Sequence, residues 1–386
     1  MTANKTRCVV LAAGGTGGHM FPAQALAREL LLRGLRPVLI TDKRAGGFGP
    51  DLAEQVETHQ IAAAGFAGGD WLSKARSLAR LAWGYLQARR VLARVDPVAV
   101  VGFGGYAALP TTMAAAHAKH RLVLHEQNAV IGRANRLLAT RATAIATSFP
   151  TVEGLREAER AKIVVTGNPV RAAIAAVGRK PYAVADSEGP LRLLVTGGSQ
   201  GARVFNDLIP EALTLLPESL RERIQVSQQV RVGDMDKVER LYERNGIRSD
   251  LQPFFDDMPE RLQSAHLLVC RAGASTITEL AAAGRPSILV PYPFAADDHQ
   301  TANARAFAEA GGGWVMPQDS LSAEMLAERL TALFENPAQL TRAAERARGF
   351  AQPDAARRLA DLVIDGGEGN GHTQQDLNAS NKEAAA

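Results

Sequence analysis

Apolar positions in this chain come in short continuous runs, not in alternation. "TRCVVLAA" (6–13) is followed by the helix-like "PAQALARELLLRG" (22–34) and then by "RPVLITD" (36–42). "AVVGFGGY" (99–106) leads into "ALPTTMAAAHAKH" (108–120) and on to "LVLHEQN" (122–128). Further along come "RLLVTGGSQG" (192–201), "HLLVCRAGAS" (266–275), "ITELAAAGR" (277–285) and "PSILVPYP" (286–293). Unbroken apolar runs of this length predict strands buried on both faces, as in a parallel sheet. Their regular alternation with helix-like segments predicts a doubly wound α/β architecture.

The pattern also repeats. "VLAAGGTGG" (10–18) resembles "LVTGGSQGA" (194–202), and both read as a buried strand, a glycine turn and a helix. Two domains of one architecture are the simplest reading, and 386 residues suit two domains. "VVTGNPVR" (164–171) reads as the connection. The boundaries expected are 1–165 for an N-terminal domain, 166–171 for a linker, 172–352 for a C-terminal domain and 353–365 for a terminal helix that could pack back on the first domain. The polar tail 366–386 lacks a hydrophobic period and reads as disordered.

Three turns share a shape: "GGTGGH" (14–19), "GFGGY" (102–106) and "GGSQGA" (197–202). Each sits where a buried strand gives way to a helix. Backbone N–H groups at a helix N-terminus attract phosphate, and glycine lets the ligand come close. None of the three is a P-loop, since no Gly-Lys-Ser/Thr follows, and none carries the full dinucleotide fingerprint. A merely tight turn remains the alternative for each one singly.

Polar clusters follow other runs. His125, Glu126, Gln127 and Asn128 stand directly after an apolar strand, where ligands of open α/β sheets bind; a helix start capped by Asn128 is the alternative. Gly273, Ala274, Ser275 and Thr276 can head a helix as an anion site, and Glu279 lies three residues past Thr276. That spacing fits a capping box, or a carboxylate placed to chelate a ribose diol. Asp297, Asp298 and His299 could in principle bind a metal, but adjacent residues have no spacing that points all three inward, and no metal is expected. "GDWLSKARSLARLAWGYLQARRVLARV" (69–95) mixes Trp71, Leu72, Leu78, Leu81, Trp83 and Tyr85 with Lys74, Arg76, Arg80, Arg89 and Arg90. It fits an interfacial membrane helix or a core helix with a solvated face.

Charge sharpens that choice. The net charge is +4, yet the first 171 residues hold 22 basic against 11 acidic residues, while the remainder holds 22 against 29. A basic first half suits an anionic partner: nucleic acid, phosphate ligands or a membrane surface. No run of 18 apolar residues exists, so no membrane-spanning helix is expected, and no secretory h-region of normal length precedes the first strand. The two cysteines, Cys8 and Cys270, each lie inside a strand-like run and read as buried thiols, not a disulfide.

Taken together, "GGTGGHMFPAQALA", "GFGGY", "HEQNAVIGRANR", "GNPVR", "GGSQGARVFN", "CRAGASTITELAAAGRPSILVPYP" and "DDHQTANA" resemble the MurG family of bacterial N-acetylglucosaminyltransferases, over about residues 7–364. The resemblance implies the GT-B fold, two Rossmann-like doubly wound parallel-sheet domains facing across a cleft. It implies inverting transfer of GlcNAc from UDP-GlcNAc to the muramic-acid 4-OH of lipid I, giving lipid II for the cell wall, with no cofactor. It places the protein peripherally on the cytoplasmic face of the inner membrane, against an anionic surface, beside cell-wall and division proteins and without nucleic acid.

Residue by residue, the family pattern assigns the ribose to Glu279, a donor phosphate to Ser199, the nucleotide lining to Ala274, Ser275, Thr276, Ile277 and Thr278, and the uracil to the backbone of Phe255. Gln300, Asn128 and Thr16, flanked by Gly15 and Gly17, would hold the sugar, and Arg171 would approach the donor across the cleft. Gly14, Gly18, Gly104, Gly105 and Tyr106 would face the acceptor pyrophosphate. His19 would be the general base, with Glu126 in reserve. One departure is that the family commonly carries a His-Gln-x-Gly-like run after the strand near 224–226, where this chain has "VSQQVR". The rival expectations are a glycosyltransferase acting on another lipid such as diacylglycerol, a UDP-GlcNAc epimerase, and a nucleotide-sugar-binding regulator without catalysis.

Overall fold

The computed structural model describes residues 7–14, 17–44, 47–65, 70–184, 186, 188–198 and 201–365. The tail from 366, and with it the expectation of disorder there, lies outside the described residues. The apolar runs become strands of two parallel sheets. The first holds β1 (Cys8–Ala12), β2 (Arg36–Thr41), β3 (Glu57–Gln60), β4 (Ala99–Gly102), β5 (Leu122–Glu126), β6 (Ala144–Thr147) and β7 (Ile163–Val165), in the order β3-β2-β1-β4-β5-β6-β7. The second holds β8 (Leu191–Thr196), β9 (Ile224–Gln229), β10 (Arg248–Gln252), β11 (Leu267–Cys270), β12 (Ser287–Leu289) and β13 (Gly313–Val315), in the order β10-β9-β8-β11-β12-β13. Val10 pairs with Val38 and Val100, and Leu193 with Val226 and Leu267.

Successive strand residues point to opposite faces, and both faces are buried here. Val10, Val38, Ile40 and Val100 pack on one side of the first sheet, against Leu92 and Val95 from the helix Trp71–Val95. Val9, Leu11, Leu39 and Val101 pack on the other, against Leu26 and Leu30 from the helix Gly17–Leu32. That is why these strands carry no polar alternation. The terminal helix Ala355–Asp365 adds Leu359, Leu362 and Val363 to this second layer of the first domain, and Arg121 donates to the carbonyl of Leu362 at 2.8 Å. Cys8 and Cys270 are buried free thiols, and burial pushes Cys270 up to about 12.

In both sheets the order reverses beside the first strand, between β1 and β4 and between β8 and β11. Ligands of open α/β sheets bind beyond the strand ends at such switch points. All three glycine turns fall there: after β1, after β4 and after β8. The connection is shorter than the quoted stretch, because Val164 and Val165 belong to β7.

Candidate active site

The two switch points meet across an interdomain seam, and the residues forming it are polar. Asn303, fully buried in the helix His299–Glu309, accepts from the backbone of Ala129 at 2.8 Å and donates to Asn128 Oδ1 and to the carbonyl of Ala272, each at 3.1 Å. Arg133 reaches Asp297 with two hydrogen bonds of 3.1 Å. Asn168 donates to Thr278 Oγ1 at 3.2 Å. Asn128 and Gln300 are thereby brought to one place from opposite domains, since Asn303 stands one helical turn from Gln300.

On the first domain the helix Gly17–Leu32 begins at the end of β1, and the helix Gly105–His117 begins at the end of β4. Neither carries an acidic residue in its first turn, so the positive ends of both helix dipoles are left uncompensated for an anion. Gly104 and Gly105 need to be glycine, with φ of +83° and +72°. A further reason is His19: a Cβ on Gly105 would stand 3.2 Å from its Nε2, and one on Gly104 would stand 3.6 Å from its Cε1. The second glycine turn thus makes room for the histidine that ends the first. Gly14 has another cause, because a Cβ there would meet Ala107 at 2.8 Å and Thr41 Oγ1 at 3.0 Å. Its position is dictated by packing against the neighbouring helix. Gly17 and Gly18 open the His19 helix, and Tyr106 lies half-buried in the first turn of the next one. Gly15 and Thr16 lie outside the described residues.

His19 is half-buried, and Gln127 Oε1 stands 3.1 Å from its Nδ1. Burial lowers its pKa below the ordinary histidine value, with Glu126 acting against the shift and His299 with it. Glu126 is buried, and both its oxygens are engaged. Oε1 accepts from the Asn128 backbone at 3.0 Å and side chain at 3.3 Å, and Oε2 accepts from the Gly132 backbone and from Asn135, each at 2.9 Å. Four donors on one carboxylate shape the loop 127–132. Asn128 caps nothing: the next helix is Arg133–Leu138 and its N-cap is Gly132.

On the second domain, the turn after β8 folds back so tightly that a Cβ on Gly197 would stand 2.2 Å from the nitrogen of Ala202. Gln229, at the end of β9, braces this turn by accepting from Thr196 Oγ1 at 3.0 Å and from the Gly197 backbone at 3.2 Å. The "VSQQVR" stretch, which departs from the family pattern, therefore still supports the third glycine turn. Gln228 points elsewhere, to Tyr242 and the carbonyl of Phe205. Ser199 lies outside the described residues.

The helix Ala274–Ala283 starts at the end of β11 with Gly273 as N-cap and no acid in its first turn. Glu279 is thus in the helix interior, and the capping-box reading of Thr276 and Glu279 is wrong. The boundary lies three residues before the position a capping Thr276 requires. Instead Glu279 Oε1 accepts from Arg171 Nε at 3.1 Å. Burial raises its pKa while Arg171 opposes the rise. Arg171 in turn lies 5.7 Å from the ring of Phe21, two residues on from His19 in the same helix. Along the same helix Ile277 is fully buried and Ala274 nearly so, while Ser275 and Thr276 are half-buried. Thr278 is engaged with Asn168 and with the carbonyl of Ala274.

Phe255 is buried, with Arg261 stacked over its ring at 4.0 Å, so only its backbone can face a base. Gln300 Oε1 accepts from the backbones of Ala272 at 3.2 Å and Tyr292 at 3.0 Å. This fixes its amide with the NH2 group as the remaining donor. Asp297, Asp298 and His299 part company, toward Arg133, Thr301 and the carbonyl of Ala296 respectively. Among the described residues no three acidic, histidine or cysteine side chains gather as a metal site.

The sequence places Gln127 in a polar cluster at a strand end but gives it no role, and it does not single out Asn303 or Gln229 as site residues. Their signal was weak, since a buried amide at a strand end or mid-helix has no spacing of its own.

The helix Trp71–Val95 buries only Gly84, Ala88, Leu92 and Val95. Trp71 is 74% exposed, Leu78 61% and Trp83 51%, with Leu72 and Leu86 also exposed. At about 100° per residue these five fall within an arc of roughly 140°. Arg76 borders this arc and Arg90 falls within it, 5.8 Å from the Trp83 ring. The core reading therefore holds only for the C-terminal half of this segment. No helix among the described residues is long and apolar enough to cross a membrane.

Comparisons with known proteins agree with this geometry. Residues 9–147 match the glycosyltransferase family 28 N-terminal domain, and 192–359 match its C-terminal domain. The chain is 55% identical to the UDP-N-acetylglucosamine–N-acetylmuramyl-(pentapeptide) pyrophosphoryl-undecaprenol N-acetylglucosamine transferase of Rhodospirillum centenum, over 95% of this chain and 97% of that one. It is 46% identical to the protein of the same name from Phenylobacterium zucineum, over 92% and 98%. The crystal structure of Acinetobacter baumannii MurG superposes with a TM-score of 0.74 at 31% identity, covering 93% and 99%. A Listeria monocytogenes protein that carries the name of a UDP-N-acetylglucosamine 2-epimerase superposes at 0.65 but with 16% identity, over 93% and 96%, which is a likeness of fold alone. Two Rossmann-like domains with facing switch points and near-full-length identity to these transferases lead to one conclusion: the chain belongs to the MurG family of GT-B glycosyltransferases.

Proposed function

We propose that this protein transfers GlcNAc from UDP-GlcNAc to the muramic-acid 4-OH of lipid I, with inversion, giving lipid II. The observation that carries the reading is the near-full-length identity to transferases of that name. The acceptor occupies the first domain and the donor the second. His19 Nε2 takes the proton of the attacking hydroxyl, and the oxygen displaces UDP from the anomeric carbon. The N-terminus of the helix Ala274–Ala283 and the backbone of the turn after β8, with Ser199, stabilise the leaving diphosphate. Glu279 holds the ribose diol, Phe255 the uracil through its backbone, and Arg171 sets the angle of the Glu279 carboxylate. Asn128, Gln300 and the Gly15–Gly17 turn hold the sugar, while Gly18, Gly104, Gly105 and Tyr106 face the acceptor pyrophosphate. Glu126 shapes the loop between them and is not the base, because its four hydrogen bonds leave it no lone pair aimed at a substrate.

The exposed aromatic arc of Trp71–Val95, with its arginines, rests on an anionic membrane surface at the cytoplasmic face of the inner membrane. Cell-wall and division proteins as neighbours there rest on the family likeness. The test is purified protein with UDP-GlcNAc and a lipid I analogue. Stoichiometric UDP release with a disaccharide lipid is expected. Release of a free hexose without need of the acceptor would point to an epimerase, and turnover on diacylglycerol but not on lipid I to another lipid glycosyltransferase.

A further inference from the structure

Between His19 and the interdomain linker lies a row of buried polar groups with only one consistent direction. The carbonyl of Phe103 can only accept, so the Gln127 atom 3.0 Å from it is Nε2, and the amide orientation is settled. The same Nε2 stands 3.0 Å from His125 Nδ1, which must therefore present a lone pair. The single proton of a neutral His125 then sits on Nε2, 3.2 Å from the carbonyl of Gly167. At the other end Gln127 Oε1 is an acceptor, so the His19 Nδ1 that faces it at 3.1 Å carries hydrogen. Reversing the row would set the Gln127 carbonyl against the carbonyl of Phe103, and a bare His125 Nε2 against that of Gly167.

We propose that Gln127 and His125 are positioning residues that hold His19 in its Nδ1–H tautomer, leaving the lone pair on Nε2. This rests on the reading of His19 as the base and deepens it, since only a lone pair directed at the substrate can take a proton. Nε2 is the ring atom on the side that Gly105 keeps clear. The charged and titratable neighbours of the ring are Glu126 and His125 from β5 and His299 from the other domain. Burial keeps both His19 and His125 on the neutral side, His125 down to about 4, so the row stays intact at neutral pH.

The test uses full-length protein labelled with 15N-histidine; the chain has eight histidines, and His19 and His125 signals are assigned by His19→Gln and His125→Gln. Long-range 15N–1H correlation near pH 7.5 should show hydrogen on Nδ1 of His19 and on Nε2 of His125. Hydrogen on Nε2 of His19 overturns the proposal. Gln127→Met should release the tautomer and lower kcat on the order of 10²-fold at unchanged acceptor KM. Gln127→Glu restores an acceptor beside Nδ1, and its negative charge should move the acid limb of kcat/KM upward by about one pH unit. An acid limb left in place in a folded Gln127→Glu overturns the coupling, because a purely structural glutamine would behave so. Should the Nδ1–H tautomer be found while His19→Ala keeps wild-type kcat, the positioning is supported and only the base assignment falls.

Discussion

The two switch points share a strand order and a strand–turn–helix design, yet they treat polar groups in opposite ways. The first gathers side chains into a closed network in which Glu126 has four donors and Gln127, His125 and His19 are linked to one another. The second has few side chains at its centre. Gly273 and Ala274 open their helix with no side chain capping it, and Glu279 stands as one carboxylate held by one arginine. The difference suits the two roles proposed for them. A proton acceptor needs one lone pair in one direction, which takes an enclosed set of hydrogen bonds. A diphosphate needs several donors at close range, which removing side chains provides.

The sharpest way to break this comparison is His19→Ala. If the first switch point does the chemistry, kcat should fall by about 10²–10⁴, with UDP affinity by calorimetry unchanged. A folded variant with near-wild-type kcat would sink the division of labour, and a raised acceptor KM at constant kcat would make His19 a pyrophosphate contact.

The enclosed network should also show itself in acid. His125 titrates near 6.5 unfolded and about 4 folded, so the unfolded chain binds a proton that the folded one refuses. Its contribution is complete above pH 6.5 and is lost as pH falls toward 4, by about 3 kcal/mol in all. Urea unfolding at pH 7.5 and pH 4 should lose that much more in wild type than in His125→Gln. Equal losses would mean that the row is open to solvent.

At the second switch point, Glu279→Gln should weaken UDP binding by about 1–3 kcal/mol, roughly 5- to 150-fold in Kd, and leave the helix intact because Glu279 caps nothing. Unchanged affinity would remove the carboxylate from the donor site.

The smallest effect on chemistry belongs to a third region. Trp71→Ser with Trp83→Ser should reduce flotation with anionic vesicles, while melting temperature and turnover of a short-chain soluble acceptor change little. A large drop in melting temperature would return these rings to the core.

Much of this was legible from residues alone. Continuous runs such as "CVVLA" announced strands buried on both faces, and the echo of 10–18 in 194–202 announced two domains. The glycine turns stood out because clustered glycine is costly unless a turn or a close approach requires it. Helix boundaries were less legible. Thr276 and Glu279 have capping-box spacing, but β11 ends at Cys270 and the helix already starts at Ala274, after the Gly273 cap. Asn128 looks like a cap and instead belongs to a seam with Asn303, 175 residues away. In the Trp71–Val95 helix, aromatic and cationic residues fit both a core and a membrane face until the packing showed which side Gly84, Ala88 and Leu92 occupy.

The sequence by itself determined the architecture, the family and the residue types at each strand end, because hydrophobic period and turn chemistry act over a few neighbouring residues. Only the tertiary structure decided which polar atoms meet: that Glu126 is saturated, that Gln127 stands beside His19, that a side chain on Gly105 would crowd an imidazole from another loop, and that Arg171 reaches Glu279. Those facts depend on partners 2 to 108 residues apart, and a hydrogen bond is decided by distance and direction in space, to which the order of residues along the chain gives no direct access.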